Sequence, residues 1–326
     1  MALSSGIGGN RCEPEQRRRV RGAAIAWLLR WCLLGAAVVA CGTPAPAPVP
    51  ANLPATPLLW RATDAARGTG AIYLFGSVHV GRPDSLALGP AIRRAYESAE
   101  ELVVEIDLST LTPSEMVARA FEYVMLPPGE TLRDRISPAT FAALEERLRE
   151  SQLSIEAVER LKPWAVTTML AMAQFSEAGL EEEYGVDRYF IARAAGERPI
   201  RGLETLESQW KVFDSLAPEV QEMMLADTLA RMDEDAGALI DAWVRGDEAA
   251  LTRILFEPLE MAPQYAPFYE AVFFARNESM TDKLVSLSGD GKDRFVVLGT
   301  GHMLGPRGIP ALLAARGFRV ERVSGR

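Results

Sequence analysis

The chain contains two histidines, and both occur in the same local pattern. His79 ends the segment GSVH after the apolar run AIYLF, and His302 ends GTGH after RFVVL. Each has a glycine three residues before it, Gly76 or Gly299, which lets the backbone turn tightly or approach a ligand. Ligands of α/β sheets bind beyond the carboxyl ends of strands. Either histidine alone could be a structural residue, but the repeated pattern predicts one divided site.

Acidic side chains end two other strand-like segments. Glu105 and Asp107 lie in VVEID, and Glu204 lies in RGLET with Glu207 one helical turn later. An acid at the end of an apolar strand is unusual for a core-facing segment. We expect these acids to lie at the same edge of the sheet as the histidines. Asp107 and Glu207 are equally consistent with capping or solvated acids, so Glu105 and Glu204 are the preferred candidates.

Two imidazoles with one or two carboxylates form a ligand set for a divalent transition metal such as Mn, Co or Zn. Such an ion polarises a carbonyl and lowers the pKa of bound water. The predicted metal ligands are His79, His302, Glu105 and Glu204. A metal-free alternative uses a His–Glu pair as general base and acid on water, and the residues do not distinguish the two. The sequence has no His-Glu-x-x-His pair, Gly-x-Ser-x-Gly elbow or Walker loop.

The segments around these residues predict an α/β (α+β-like) fold. AIYLFGSV indicates a strand, LGPAIRRAYESA a helix with Pro90 near its start, and ELVVEID a second strand. The C-terminus repeats this order in DRFVVLGTGHMLG, GIPALLAARG and FRVERV. We therefore predict a small, mostly parallel sheet built from two strand–Gly-x-x-His–helix–strand modules. A large helical insertion separates them, and it includes one further strand at RPIRGLET.

The first 41 residues predict export. The basic segment RRRVR precedes a short apolar stretch that ends in Val38-Val39-Ala40-Cys41, which is the order of a secretory signal. The apolar run after Arg30 is about ten residues, whereas roughly 20 are needed to span a bilayer. The residues before Cys41 resemble a bacterial lipobox, which predicts a lipoprotein signal peptide over residues 1–40 and a lipid on Cys41. Ordinary cleavage nearby or an uncleaved anchor are the alternatives.

Composition divides the remaining chain in two. The Pro/Ala-rich residues 41–57 favour an extended tether, and residues 58–326 form the predicted folded domain. Residues 1–41 hold six Arg, two Glu and every cysteine, so the rest carries 29 basic and 42 acidic residues, a formal charge of −13. This charge argues against nucleic acid as a partner. The lack of cysteine beyond residue 41 excludes a cysteine nucleophile and a disulfide from the domain.

In their order along the chain, these motifs resemble those of the TraB/GumN family, which is related to the TIKI membrane-tethered metalloproteases. The resemblance covers most of residues 58–326. It rests on YLFGSVHVG, ELVVEID, GETL, YGVDRYF, GLETLESQ, FARN and VVLGTGHMLGPRGIPALLAARGFRV. It implies a compact α/β domain in which both Gly-x-x-His motifs share one active site.

The resemblance also implies site residues. His79, Glu105 and His302 match the family's site positions most directly. Glu204, Arg276 and Asn277 match other motif positions, and Arg276 could bind a carboxylate or stabilise an oxyanion. An ordinary helix-surface arginine is the alternative for Arg276. TIKI proteins are similar to divalent-metal peptidases, and more distant relatives include esterase-type hydrolases thought to work without metal.

The sequence therefore predicts a lipid-anchored, extracytoplasmic hydrolase of the bacterial cell envelope, metal-dependent and peptidase-like, facing the periplasm or the cell exterior. His79 and His302 would bind metal or transfer protons, and Glu105 would be a ligand or general base. Arg276 and Asn277 would orient a peptide or small-molecule substrate. The alternative is a non-catalytic binding protein that captures a metal, a cofactor or a peptide in the same cleft. The membrane is the expected partner, reached through lipidated Cys41.

Overall fold

A computed structural model describes five stretches of the chain, residues 57–64, 70–82, 88–151, 153–231 and 237–324. The predicted signal peptide, the predicted lipidation site Cys41 and all but the last residue of the predicted tether lie outside the described residues. Within the described part, no helix has the length and apolar character that crossing a membrane requires.

The centre of the domain is a six-stranded sheet. Its strands are β1 (Leu59–Asp64), β2 (Ile72–Ser77), β3 (Glu101–Ile106), β4 (Ile200–Glu204), β5 (Arg294–Gly299) and β6 (Phe318–Arg322). Their order in the sheet is β4–β3–β5–β2–β1–β6. β4, β3, β5 and β2 are parallel to one another, whereas β1 pairs antiparallel with both β2 and β6. The predicted mixed α/β fold with a mostly parallel sheet is confirmed.

Helices cover the sheet and form most of the chain between β3 and β5. They are α1 (Pro90–Ser98), α2 (Pro113–Val124), α3 (Pro138–Glu150), α4 (Pro163–Glu177), α5 (Val186–Ala194), α6 (Leu206–Asp214), α7 (Pro218–Ala230), α8 (Gly237–Arg245), α9 (Glu248–Met261), α10 (Ala266–Tyr269), α11 (Ala275–Leu287) and α12 (Ile309–Ala315). A π-helical turn, Glu270–Phe274, joins α10 to α11.

The helix boundaries follow local sequence signals. Thr112 and Glu115 form a capping box at the start of α2, and Ser137 caps α3 through its side chain. The sequence of α4 is apolar nearly all round, and most of the helix is buried. Gly246 and Asp247 separate α8 from α9.

The strands of the two predicted modules are interleaved rather than paired within each module. β2 and β3, which flank α1, are separated by β5, and β5 pairs with both. β6 pairs with β1 instead of β5. The segment LWRATD forms β1, a strand that the sequence analysis did not predict, because polar residues interrupt its apolar pattern after Trp60. β1 links the two modules by lying between β2 and β6.

This interleaving positions the site. Since β4, β3, β5 and β2 run parallel, their carboxyl ends lie at one edge of the sheet. β2 and β5 are direct neighbours with Ser77 opposite Gly299, so the two Gly-x-x-His loops leave the sheet side by side. Glu105 lies near the end of β3, and Glu204 is the last residue of β4. Segments far apart along the chain thus meet at this edge.

Candidate functional site

The two histidines and Glu105 face one point at the end of β5. A Cβ placed on Gly299 would lie 3.2 Å from Glu105 Oε1, 3.3 Å from His79 Nε2 and 3.6 Å from His302 Cδ2. His302 Nε2 is 3.7 Å from Glu105 Oε1. The φ angle of Gly299 is −50°, which any residue adopts, so glycine is needed here for space. A side chain at this position would occupy the centre of the site.

His79 is held by an acid from α5. Its Nδ1–H donates to Asp187 Oδ2 at 2.7 Å, and Ser77 Oγ donates to the other carboxylate oxygen at 2.9 Å. Gly185, just before α5, permits this approach, because a Cβ there would lie 2.3 Å from the carbonyl oxygen of His79. The hydrogen bond fixes the ring and leaves Nε2 facing the centre of the site.

The charge of Asp187 also sets the protonation of His79. Burial alone would lower the pKa of this imidazole, but the negative charge and hydrogen bond of Asp187, with a further contribution from Glu105, raise the pKa to about 9. His79 is therefore a cation at neutral pH. Its side chain is 17% exposed, so it is the accessible member of the pair.

His302 is held by a neutral side chain. Asn277 donates its Nδ2–H to the carbonyl oxygen of Arg307 at 2.8 Å, so its Oδ1 is left to accept the Nδ1–H of His302 at 2.5 Å. The ring of Phe273 packs beside the imidazole, with 5.5 Å between ring centroids. His302 is 3% exposed. As with His79, Nδ1 is engaged and Nε2 is available.

The pKa of His302 moves in the opposite direction. Burial, with the positive charges of Arg276 and His79, outweighs the attraction of Glu105 and lowers the pKa to about 4. His302 is therefore neutral at physiological pH and can accept a proton at Nε2. The two histidines of the same sequence motif thus differ in charge at one pH.

Glu105 is the buried anion between them. Its Oε1 accepts the backbone N–H of Gly299 at 2.7 Å, and its Oε2 accepts from Arg276 Nη2 at 2.8 Å and Gln209 Nε2 at 3.0 Å. Burial opposes its ionisation, but the charge that His302 gains in acid, the charges of Arg276 and His79, and the Gly299 N–H hold the pKa of Glu105 well below the usual range. Glu105 stays ionised throughout the physiological range.

Arg276 joins the two carboxylates predicted from the sequence. Its Nη2 donates to Glu204 Oε2 at 2.6 Å as well as to Glu105, and its Nε donates to Glu204 Oε1 at 3.0 Å. The side chain is only 6% exposed. We expected Arg276 and Asn277 to orient substrate, and in the structure Arg276 donates to Glu105 and Glu204 while Asn277 hydrogen-bonds His302.

The π-helical turn before α11 positions these supports. Its wider winding places Phe273 against the second motif, where a Cβ on Gly301 would lie 2.4 Å from the Phe273 ring. One turn later, Arg276 Nη1 donates to the carbonyl oxygen of Val272 at 3.0 Å. π-Helical turns recur at functional sites because they re-aim the residues that follow. Here the turn directs α11 towards the ends of β3, β4 and β5.

The sequence profile of the TraB/PrgY/gumN family matches residues 58–322, a range that includes both Gly-x-x-His motifs and all of the side chains above. The chain belongs to the TraB/PrgY/gumN family. The resemblance inferred from the motifs is thereby confirmed. The described geometry gives this TraB/PrgY/gumN chain a single centre made from both motifs.

Two relatives share most of this length. A protein of Escherichia coli K12 named "Uncharacterized protein YbaP" is 27% identical over 266 residues, covering 78% of this chain and 92% of the relative. The Shigella flexneri protein of the same name is also 27% identical, with the same coverage. No solved structure matches the chain significantly. Neither relative's name states an activity.

Three polar residues of the TraB/PrgY/gumN site were missed by sequence reasoning. Asp187 and Gln209 lie in the motifs YGVDRYF and GLETLESQ, and Ser77 lies inside GSVH. Their motif membership was the available signal, but Asp187 is 108 residues from His79, and Gln209 is 104 residues from Glu105. Spacing along the chain could not pair them.

Two acids that the sequence left open lie outside the centre. Asp107 caps a 3₁₀ turn by accepting the Ser109 N–H at 3.0 Å. Glu207 pairs with Arg119 at 2.9 Å on the surface of the domain. These contacts match the capping and solvated interpretations given for them above.

The metal site predicted from the sequence requires His79, His302, Glu105 and Glu204 to converge on one point. In the part of the chain that the structure describes, no three His, Cys, Asp or Glu side chains are grouped as a metal would need. Both oxygens of Glu204 and Oε2 of Glu105 accept hydrogen bonds from the Arg276 guanidinium. These hydrogen bonds engage the Glu204 oxygens that a metal ion would need as ligands. The side chains as arranged do not fit the predicted four-ligand metal site.

Proposed function

We propose that this TraB/PrgY/gumN protein is a hydrolase in which His79 and His302 form an acid–base pair around Glu105. The observation that carries the proposal is the meeting of His79 Nε2, His302 and Glu105 Oε1 at the open face of Gly299. Two imidazoles with pKa values on opposite sides of neutrality supply a proton donor and a proton acceptor at the same pH.

Each histidine has one role in this reaction. Neutral His302 accepts a proton from the attacking water at Nε2, because its Nδ1–H is already donated to Asn277. Protonated His79 donates from Nε2 to the leaving group, and Asp187 compensates its charge before the transfer. The exposed position of His79 suits the group that meets the leaving atom.

Glu105 and its hydrogen-bond partners fix the positions and charges of the groups at the centre. Ionised Glu105 stabilises the positive charge that develops on His302 when the water proton arrives. Arg276 and the Gly299 N–H keep that carboxylate ionised and fixed. Glu204 in turn fixes Arg276, which makes Glu204 a positioning residue in this account.

The reaction class is hydrolysis of a peptide or ester carbonyl, since both need one proton delivered and one removed. The test is a screen of peptide and ester libraries with the purified protein, with EDTA and with added Mn, Co or Zn. We expect turnover that persists in EDTA and is lost in His79→Ala and in His302→Ala. Activity that appears only with added metal would favour the metal-dependent hydrolase predicted from the sequence.

A second candidate is a binding protein that captures a peptide, a cofactor or a metal without turnover. The burial of the centre favours it, because His302 is 3% exposed and Glu105 is 8% exposed. A ligand would reach the centre mainly from the side of His79. Saturable binding of library members with no turnover under any metal condition would support this candidate over the hydrolase.

We also propose that the domain is anchored in the bacterial cell envelope by a lipid on Cys41. The basic segment, the short apolar stretch and the residues before Cys41 support this location. Cys41→Ser should move the protein from the membrane fraction to the soluble fraction, as followed by fractionation and by labelling with a radioactive fatty acid. An unlabelled wild-type protein that stays in the soluble fraction would contradict the anchor.

A further inference from the structure

The cleft that reaches His79 has two kinds of lining beyond the catalytic centre. An apolar wall comes from the end of β3 and from α5, and a charged pair comes from the turn before α5 and from α5 itself. These residues are Ile106, Leu108, Ile191, Glu182 and Arg188. The charged pair has no part in the proton transfers proposed above. It therefore needs its own explanation.

Glu182 is the carboxylate of this cleft with the fewest hydrogen bonds, although the positive charges of Arg188 and His79 act on it. Its Oε1 is buried and has no hydrogen-bond partner among the described residues. Its Oε2 has one long contact, 3.3 Å from Nη2 of Arg188, and that arginine side chain is 47% exposed. A buried carboxylate oxygen without a donor is unfavourable. A ligand that brings a donor would remove this penalty.

The other two acids of the cleft show what full compensation requires. Glu105 accepts from a backbone N–H, from an amide and from a guanidinium. Asp187 accepts from His79 and from Ser77. The Glu182 side chain is 17% exposed, as is that of Asp187, but Glu182 has only the one long contact. The missing partner is therefore a hydrogen-bond donor, and one with positive charge would match the carboxylate best.

We propose that Glu182 binds a primary ammonium group of the substrate, next to an apolar group that packs on Ile106, Leu108 and Ile191. An ammonium group fits because it carries three donors and is small enough to share the cleft with the Arg188 side chain. The substrate class is then a peptide or amino ester with a free N-terminus and an apolar first residue. This assignment of substrate rests on the proposed function, whereas the ammonium binding does not.

The test compares L-leucinamide, which has a free ammonium group, with N-acetyl-L-leucinamide, in which that nitrogen is a neutral amide. Their affinities for the purified protein are measured by calorimetry at pH 6.5, where an α-amino group of ordinary pKa, about 7.7–8.0, is protonated. We expect L-leucinamide to bind about tenfold more tightly than the acetylated probe. Glu182→Gln should reduce that difference to about twofold or less.

Two further variants keep the test independent of folding effects. Glu183→Gln removes the same charge from the same turn at an exposed position, and it should keep the wild-type preference. Arg188→Gln removes the competing positive charge, so this variant should bind L-leucinamide more tightly than the wild type does. Thermal unfolding of each variant checks that it is folded. A gain of affinity cannot arise from misfolding.

Equal affinity for the two probes, no measurable binding of either, or a preference that survives Glu182→Gln would overturn the proposal. The outcome is separable from that of the hydrolase proposal. His302→Ala should lower kcat by about 10²–10⁴-fold yet retain the preference for L-leucinamide. If the wild type hydrolyses no substrate but keeps the preference, the hydrolase proposal fails and the ammonium site stands.

Discussion

The two Gly-x-x-His motifs give two histidines with the same spacing and opposite surroundings. In GSVH, Nδ1 of His79 meets the carboxylate of Asp187, whereas in GTGH, Nδ1 of His302 meets the amide oxygen of Asn277. His79 is partly exposed and its pKa is raised to about 9, while His302 is buried and its pKa is lowered to about 4. The motif places the rings, and the residues behind the rings decide which one carries a proton.

The largest effect should come from removing either ring. General acid–base groups typically contribute about 10²–10⁴-fold to a rate, so His79→Ala and His302→Ala should each lower kcat by that order. The measurement is kcat on the best substrate from the library screen, with circular dichroism as the check on folding. Full activity in either variant would mean that the two motifs do not form one acid–base pair.

Filling the space between the two imidazole rings should have the next largest effect on activity. Gly299→Ala would place a methyl group within 3.2–3.6 Å of Glu105, His79 and His302, so we expect a loss of activity of about 10²-fold. Gly76→Ala is the matched control in the other motif, where the new methyl would meet Thr300 Oγ1 at 3.1 Å, away from the centre. Equal losses in the two variants would argue against a centre at Gly299.

Exchanging the partners should convert one environment into the other. Asn277→Asp gives His302 a carboxylate at Nδ1, which should raise its pKa and move the rising limb of the pH–activity profile to higher pH by about one unit or more. Asp187→Asn should lower the pKa of His79 and move the falling limb to lower pH. Profiles of kcat against pH for the three proteins provide the measurement. Unshifted limbs would contradict the roles assigned to the partners.

The smallest predicted effect is on the free energy of unfolding. The two histidines should change it in opposite directions as pH rises. The pKa of His79 is raised in the folded state to about 9. Its contribution to the free energy of unfolding is therefore fully present below the ordinary pKa of about 6.5 and is lost as pH rises through 9. Because the pKa of His302 is lowered to about 4, stability should fall as pH drops from about 6.5 to 4.

Urea unfolding at a series of pH values measures how the free energy of unfolding changes on both sides of neutrality. Asp187→Asn should remove the loss of stability between pH 6.5 and 9, and His302→Phe, which keeps a buried ring, should remove the loss between pH 6.5 and 4. Wild-type curves with the same slope on both sides of neutrality would contradict the opposite shifts.

The sequence predicted the groups with the strongest chemistry and the sheet edge that gathers them. Two histidines with glycine at the same spacing, and acids at the ends of apolar runs, are signals that depend on a few neighbouring residues. The family followed from the order of short motifs. Each of these inferences is local, which is why it could be made before the fold was known.

The parts that could not be predicted depend on contacts between distant segments. Nothing near Asp187 indicates that it faces His79, and the strand β1 has an apolar pattern too short to stand out. Arg276 is a helical arginine in sequence, yet it is buried between two carboxylates because the π-helical turn directs α11 towards the sheet. The interleaving of strands likewise follows from packing of the whole sheet.

The central claim is that His79 is protonated and His302 is neutral at the same pH. Since the chain has two histidines, ¹⁵N NMR of the imidazole nitrogens between pH 3 and 10 can follow both, with His79→Ala and His302→Ala providing the assignment. We predict one ring that titrates near 9 and one near 4. Two rings that titrate together near the ordinary value of about 6.5 would contradict the account.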